Sequence, residues 1–191
     1  MSDAKALLIL HGKQALNDEV REAVRQQREL GWELAVRVTW EAGDAQRLVR
    51  EALAAGYPIV IAGGGDGTLR EVTEAMLEAN TDASLALMPL GSANDFARAA
   101  GISLNPFEAL ALLDEPPQAV DVGEMDGQPF VNMATGGFGS QVTATTSEEL
   151  KRFLGGGAYL LTGLTRFSEI HSARGRFSGP GFDWEGDFLA L

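Results

Sequence analysis

Tyr57-Pro58-Ile59-Val60-Ile61-Ala62-Gly63-Gly64-Gly65-Asp66-Gly67-Thr68-Leu69-Arg70-Glu71 is the stretch whose reading decides the fold. A short buried strand, Pro58 to Ala62, runs straight into a glycine cluster, and a helix is expected from Leu69 to Ala79. Consecutive glycines allow positive φ and remove β-carbons, so backbone N–H groups can converge on a phosphate; the helix N-terminus behind them favours negative charge. The physical reading is a phosphate cradle, against the plainer one of a tight turn. Asp66 would repel a bare phosphate, so it makes better sense as a hydrogen-bond partner of a hydroxyl or as an indirect anchor for hydrated Mg2+. No Lys-Ser/Thr pair follows, so this is not a P-loop, and Asp66 and Gly67 break the spacing of a dinucleotide fingerprint.

Outward from this stretch the chain alternates strands and helices. Ala6 to Leu10 reads as a strand, Asn17 to Leu30 as a helix ended by Gly31, Trp32 to Trp40 as a strand, and Asp44 to Ala55 as a helix closed by Gly56. Beyond Ala79 come a strand over Ser84 to Met88, a helix over Ala93 to Ala100 and a short helix from Pro106 to Leu113. Alternation of this kind predicts an α/β fold with a doubly wound parallel sheet covered by helices on both faces. Asp114-Glu115-Pro116-Pro117 breaks the pattern, which places a nucleotide-binding α/β domain in residues 1–114 and a second, antiparallel β-rich domain in residues 118–191. Strand-like runs there are Ala119 to Met125, Pro129 to Ala134, Gly175 to Phe177 and Phe182 to Leu191, with a helical stretch near Leu150 to Phe167. The last run stops without a turn or polar tail, and residues 118–191 are fewer than the roughly 100 typical of a closed β domain, so the second domain reads as incomplete.

Composition bounds the function. At 191 residues, with 45% hydrophobic and 22% charged residues, the chain is an ordinary folded protein long enough for a sizeable core. A formal charge of -12, from 27 acidic and 15 basic side chains, argues against nonspecific binding to nucleic acid. The same charge disfavours an anionic membrane surface but is compatible with a neutral lipid met in transient membrane contact. There is no cysteine and there are two histidines, His11 and His171, which removes disulfides, thiolate nucleophiles and Cys- or His-rich metal sites. With no basic, apolar leader and no long apolar run, a cytoplasmic location is expected.

A second loop, Pro89-Leu90-Gly91-Ser92-Ala93-Asn94-Asp95-Phe96, also follows a strand and opens a helix. In a parallel sheet both loops lie at the carboxyl edge, where ligands collect, so they should face one cleft. Taken alone, Ser92 reads equally as an N-cap, with Asp95 completing a capping box.

The two loops together resemble the bacterial lipid kinases of the diacylglycerol kinase and sphingosine kinase group, and within it those of the YegS type. The resemblance extends to Val36-Arg37-Val38-Thr39-Trp40 and to Val131-Asn132-Met133-Ala134-Thr135-Gly136-Gly137-Phe138-Gly139. It implies a two-domain, ATP-dependent kinase that phosphorylates a lipid hydroxyl of diacylglycerol or phosphatidylglycerol kind, with ATP and Mg2+, or Ca2+ in its place, as cofactors. Carried over by position, Thr39 and Ser92 contact the nucleotide, and Gly65, Asp66, Gly67, Thr68, Leu69, Arg70 and Glu71 surround its phosphates. Asp66 and Asp95 are indirect aids to the metal. The resemblance places the acidic metal site and the general base beyond Leu191, so this chain alone is expected to be inactive. Two positions depart from the family: Ser92 replaces a threonine, keeping the hydroxyl, and His11 stands before Gly12-Lys13 where asparagine is usual.

Two alternatives remain at this point: an NAD kinase, which shares the glycine loop and architecture, and a nucleotide-binding module without catalysis. Elsewhere the plain readings win. His11 reads as a turn residue and His171 as a surface one. Phe153, Tyr159 and Phe167, beside Gly155-Gly156-Gly157, read as core rather than a lipid entrance, and Glu148-Glu149 with Lys151-Arg152 as a solvated helix face.

Overall fold

The computed structural model describes residues 4–132 and 173–188. They fall in two compact units, Met1–Asn132 and Met133–Leu191, and Pro116-Pro117 lies inside the first. The first unit runs β1 (Lys5–Leu10), α1 (Asp18–Glu29), β2 (Glu33–Val38), α2 (Asp44–Ala54), β3 (Ile59–Gly64), α3 (Asp66–Glu78), β4 (Ser84–Pro89), α4 (Asp95–Ala99), α5 (Pro106–Ala111), β5 (Gly123–Met125) and β6 (Gln128–Phe130).

Strands β1 to β4 form one parallel sheet in the order β2-β1-β3-β4, as the alternation predicts. Successive residues of a strand face opposite sides. Leu7 and Ile9 of β1 therefore join a core with Leu48 and Val49 of α2 and Leu69 and Val72 of α3, while Ala6, Leu8 and Leu10 join one with Val20 of α1 and Leu110 of α5. This covering of both faces explains why β1 is an unbroken apolar run rather than an alternating one. Leu8, Ile9, Ile61 and Leu69 are fully buried, each side chain worth about 1.5–3 kcal/mol of transfer free energy.

Local signals set the helix ends. The Asn17 side chain accepts from Glu19 N–H at 3.1 Å and Val20 N–H at 3.3 Å to start α1, and Asn105 caps α5 just before Pro106. Gly31 and Gly56, with φ of 103° and 71°, turn the chain out of α1 and α2. Asp126 and Gly127, with φ of 52° and 76°, make the two-residue turn between the antiparallel β5 and β6.

Several boundaries differ from the sequence reading. α3 begins at Asp66 rather than Leu69, and β3 continues through Gly63 and Gly64, which pair with Met88 and Pro89 of β4. The pairing holds these glycines extended, so Gly65 alone links strand to helix. α4 begins at Asp95 rather than Ala93 because Asn94 takes a left-handed conformation, with φ of 53°. Of the run Ala119 to Met125 only Gly123–Met125 is strand, the part that finds a partner in β6.

The described part of the second unit is an antiparallel hairpin, β7 (Ala173–Gly179) and β8 (Phe182–Phe188). Phe177 stacks on Trp184 with ring centroids 5.5 Å apart, and on the other face Arg176 pairs with Asp183 and Arg174 with Glu185. The helical stretch near Leu150 to Phe167 with its aromatics and glycines, Met133 to Gly139 and His171 lie outside the described residues. Among the described residues no helix is long and apolar enough to cross a membrane.

Candidate functional site

Strand order reverses between β1 and β3, since β1 leads by α1 to β2 on one side while β3 leads by α3 to β4 on the other. In sheets of this kind ligands bind outside the carboxyl ends of the strands at such a switch. The segments that leave the carboxyl ends of β1 to β4 are tied to one another. His11 N–H donates to Gly63 C=O at 2.8 Å, Thr39 N–H to Leu10 C=O at 3.0 Å, and Leu90 N–H to Gly64 C=O at 2.8 Å. The Thr39 hydroxyl accepts from Gly12 N–H at 3.3 Å, and the Gln14 amide donates to Leu90 C=O at 2.9 Å. His11 takes the turn role, its Nδ1 accepting Lys13 N–H at 3.2 Å as an asparagine side chain would.

The glycines work differently from the sequence expectation. None of Gly63, Gly64, Gly65, Gly67 and Gly91 has positive φ. What most of them lack is room. A β-carbon at Gly91 would lie 2.4 Å from the Gly65 α-carbon and 2.8 Å from Asn94 Oδ1; one at Gly64 would lie 2.3 Å from the Thr68 hydroxyl, and one at Gly63 2.7 Å from Leu8 Cδ1. The two loops touch backbone to backbone; that contact requires glycine at Gly91 and is tight at Gly65, where a β-carbon would lie 3.1 Å from the Gly91 α-carbon. Gly67 is the exception: it is exposed, sits in the first turn of α3, and a β-carbon there would meet nothing within 4 Å.

The start of α3 also differs from those of α1 and α5. Its N-cap is Gly65, which has no side chain to accept the first N–H groups, and the first bond of the helix runs from Leu69 N–H to Gly65 C=O at 3.0 Å. The earlier N–H groups of a helix have no acceptor inside it. Thirteen residues of α3 add the positive end of a helix dipole at this point.

Asp66 bridges the loops. Its Oδ1 accepts from Phe96 N–H at 3.2 Å and from the Asn132 side-chain amide at 2.9 Å, and its Oδ2 from Asp95 N–H at 3.2 Å. It thereby caps α4 from another helix, the role that was one of two open to Ser92 on sequence. Partial burial alone would raise the Asp66 pKa; the hydrogen bonds from Asn132, Phe96 and Asp95 outweigh it and hold the carboxyl below its ordinary value. Asn94, buried, brackets the second loop by accepting Gly91 N–H at 2.9 Å and donating to Gly91 C=O at 2.8 Å. Ser92 is exposed and makes no such bond among the described residues.

The remaining positions divide by burial. Thr68 lies packed beneath Gly64 and Leu69 in the core, so only their backbone faces the loop, whereas Arg70 and Glu71 are exposed on α3. Asp95 is exposed beside Asp66, and no group of three or more His, Cys, Asp or Glu among the described residues is arranged to hold a metal ion. Gly91, Asn94, Gln14 and Asn132 belong to this constellation and were not singled out from the sequence. Gly91 and Asn94 carry a local signal in the strand–Gly91–Asn94 spacing. Asn132, 66 positions from Asp66, carries none.

Residues 5–125 match the family model described as diacylglycerol kinase catalytic domain. Over all 191 residues the chain is 69% identical to a Pseudomonas aeruginosa protein named "Probable lipid kinase YegS-like" and 67% identical to one of that name from Pseudomonas fluorescens. It spans 63% and 64% of their lengths. Among solved structures, a diacylglycerol kinase from Bacillus anthracis strain Sterne has a TM-score of 0.72 at 25% identity, with 100% of this chain and 62% of that one covered.

Proposed function

The chain belongs to the diacylglycerol kinase catalytic domain family, and on that premise we propose that it is the nucleotide-binding part of an ATP-dependent lipid kinase. The lipids are those with a free hydroxyl of diacylglycerol or phosphatidylglycerol kind, met in transient membrane contact. Its relatives carry lipid kinase names, and it spans less than two thirds of their length.

Gly67 is the observation that carries the reading. A glycine inside a helix costs up to about 0.5–1 kcal/mol relative to alanine, and here, among the described residues, neither φ nor any neighbouring atom requires one. The need for it lies outside the chain, in a ligand that approaches the backbone. Uncapped N–H groups and a helix dipole at the same turn make that ligand an anion, and in a kinase family a nucleotide phosphate. The donor set fits ATP: N–H groups at Gly67 and Thr68 for the phosphates, with the Ser92 and Thr39 hydroxyls further along the edge. When bound, Mg2+ would neutralise the charge on the phosphates. The fixed Asp66 carboxylate is the first residue of the same helical turn, and with its oxygens already accepting N–H groups it fits an indirect role through water. Transfer itself also needs a base at the lipid hydroxyl.

Calorimetric titration of the 191-residue chain with ATP and Mg2+ tests the reading. One site, weakened at least tenfold by Gly67→Ala in a protein that melts no lower than wild type, is the expected result. A folded chain that takes up no ATP, or a Gly67→Ala variant that binds as wild type does, defeats it.

A further inference from the structure

We propose that Trp40 is the platform against which the base of the nucleotide stacks. The inference deepens the nucleotide reading above and rests on it. Trp40 is 93% exposed, the most exposed large hydrophobic side chain among the described residues. An indole left in water by the fold is unusual, since Trp is highly buried on average. It follows Thr39, whose hydroxyl and carbonyl lie against Gly12 at the carboxyl end of β1.

The Thr39 hydroxyl, assigned to the nucleotide in the reading above, sets the direction in which the ligand lies, and strand order sets the distance. With its phosphates at the start of α3, after β3, the ligand crosses the end of β1 to reach β2, two strand spacings or roughly 10 Å away. The nucleoside end therefore arrives where Thr39 and Trp40 are. The Trp40 backbone is also fixed in advance. Asp44, buried, accepts Trp40 N–H at 2.7 Å and Glu41 N–H at 3.1 Å, and is itself paired with Arg47 at 2.7 Å. These bonds, the one from Arg47 foremost, hold the Asp44 carboxyl down to about 2, so it is ionised and the loop is held throughout the neutral range. A rigid loop presenting a bare indole loses little freedom when a flat ring settles on it.

The test compares ATP with inorganic tripolyphosphate, which has the phosphates and no base. Because a base stacked on an aromatic side chain contributes to affinity whatever its identity, Trp40→Ala should weaken ATP roughly tenfold and leave tripolyphosphate unchanged, while Trp40→Phe restores most of the ATP affinity. ATP should also quench the fraction of tryptophan emission that Trp40→Phe removes. Equal ATP affinity in Trp40→Ala and wild type overturns the platform and leaves the nucleotide site standing. Equal loss for both ligands overturns it as well, since Trp40 would then act on the phosphates or the loop. Emission from Trp40 that shifts with phosphatidylcholine vesicles and not with ATP overturns it in favour of a membrane contact. If wild type binds neither phosphate ligand, the nucleotide reading fails and takes the platform with it.

Discussion

At the amino edge of the sheet, Gly31 and Gly56 turn helices into strands; at the carboxyl edge, Gly65 and Gly91 turn strands into helices. The first pair has positive φ and open space around the missing β-carbon; the second pair lacks positive φ, and its β-carbons would crowd the facing loop, at 3.1 Å for Gly65 and 2.4 Å for Gly91. The same residue type answers two different demands. One is a demand of the local backbone, satisfied by any chain that ends a helix this way. The other is made by a distant segment, and it exists only once the two loops have been brought together. Gly67 answers neither, which is why its reason is sought in a ligand.

Substitutions should separate these demands. Gly91→Ala carries the largest expected effect: its β-carbon meets backbone at Gly65, which cannot rotate away, so a loss of about 3 kcal/mol or more in thermal or urea denaturation is expected, with ATP binding abolished. A small loss with ATP binding retained would break the contrast. Gly31→Ala should cost about 1–2 kcal/mol, the strain of a left-handed L-residue, and leave ATP affinity within twofold of wild type in the same calorimeter.

Asp66→Asn should cost about 1 kcal/mol at neutral pH, through the cap it provides to α4. The sign with pH is fixed by the lowered pKa. A carboxyl held below its ordinary value stabilises the fold above that value, near 4, and the contribution fades as pH falls through the folded value. Melting curves of wild type and Asp66→Asn should thus differ at pH 7 and converge below about pH 4; a gap that persists in acid would assign the effect to packing. The smallest shift, of opposite sign, belongs to Gly67→Ala, which should raise stability by about 0.5–1 kcal/mol in the melt of the ligand-free protein. No gain there would mean that the first turn of α3 is under a constraint the free chain does not display.

The strands, the helices and the placing of both loops at the carboxyl edge were legible because they rest on short-range signals: apolar runs such as Ala6 to Leu10, caps such as Asn17, and stops such as Gly31; the strand order that makes the switch was not. The boundaries of α3 and α4 were not. Gly63 and Gly64 look like a loop until Met88 and Pro89 pair with them, and nothing near Asp66 in the sequence shows that Phe96 and Asn132 donate N–H groups to it. Part of the site was equally hidden: Ser92 taken alone reads equally as a cap or a ligand contact, and the cap is supplied by Asp66, 29 positions from the Asp95 N–H that it accepts.

By itself, then, the sequence determined a parallel α/β sheet with a glycine-bearing loop and a second loop at one edge, because strand and helix periods and cap chemistry act within a few residues. Only the tertiary structure decided why those glycines are needed, what Asp66 holds, and which first turn is left without a cap. Each of these depends on a contact between segments, such as Gly65 on Gly91 or Asp66 with Asn132, whose partners lie far apart in the chain and have no local signature.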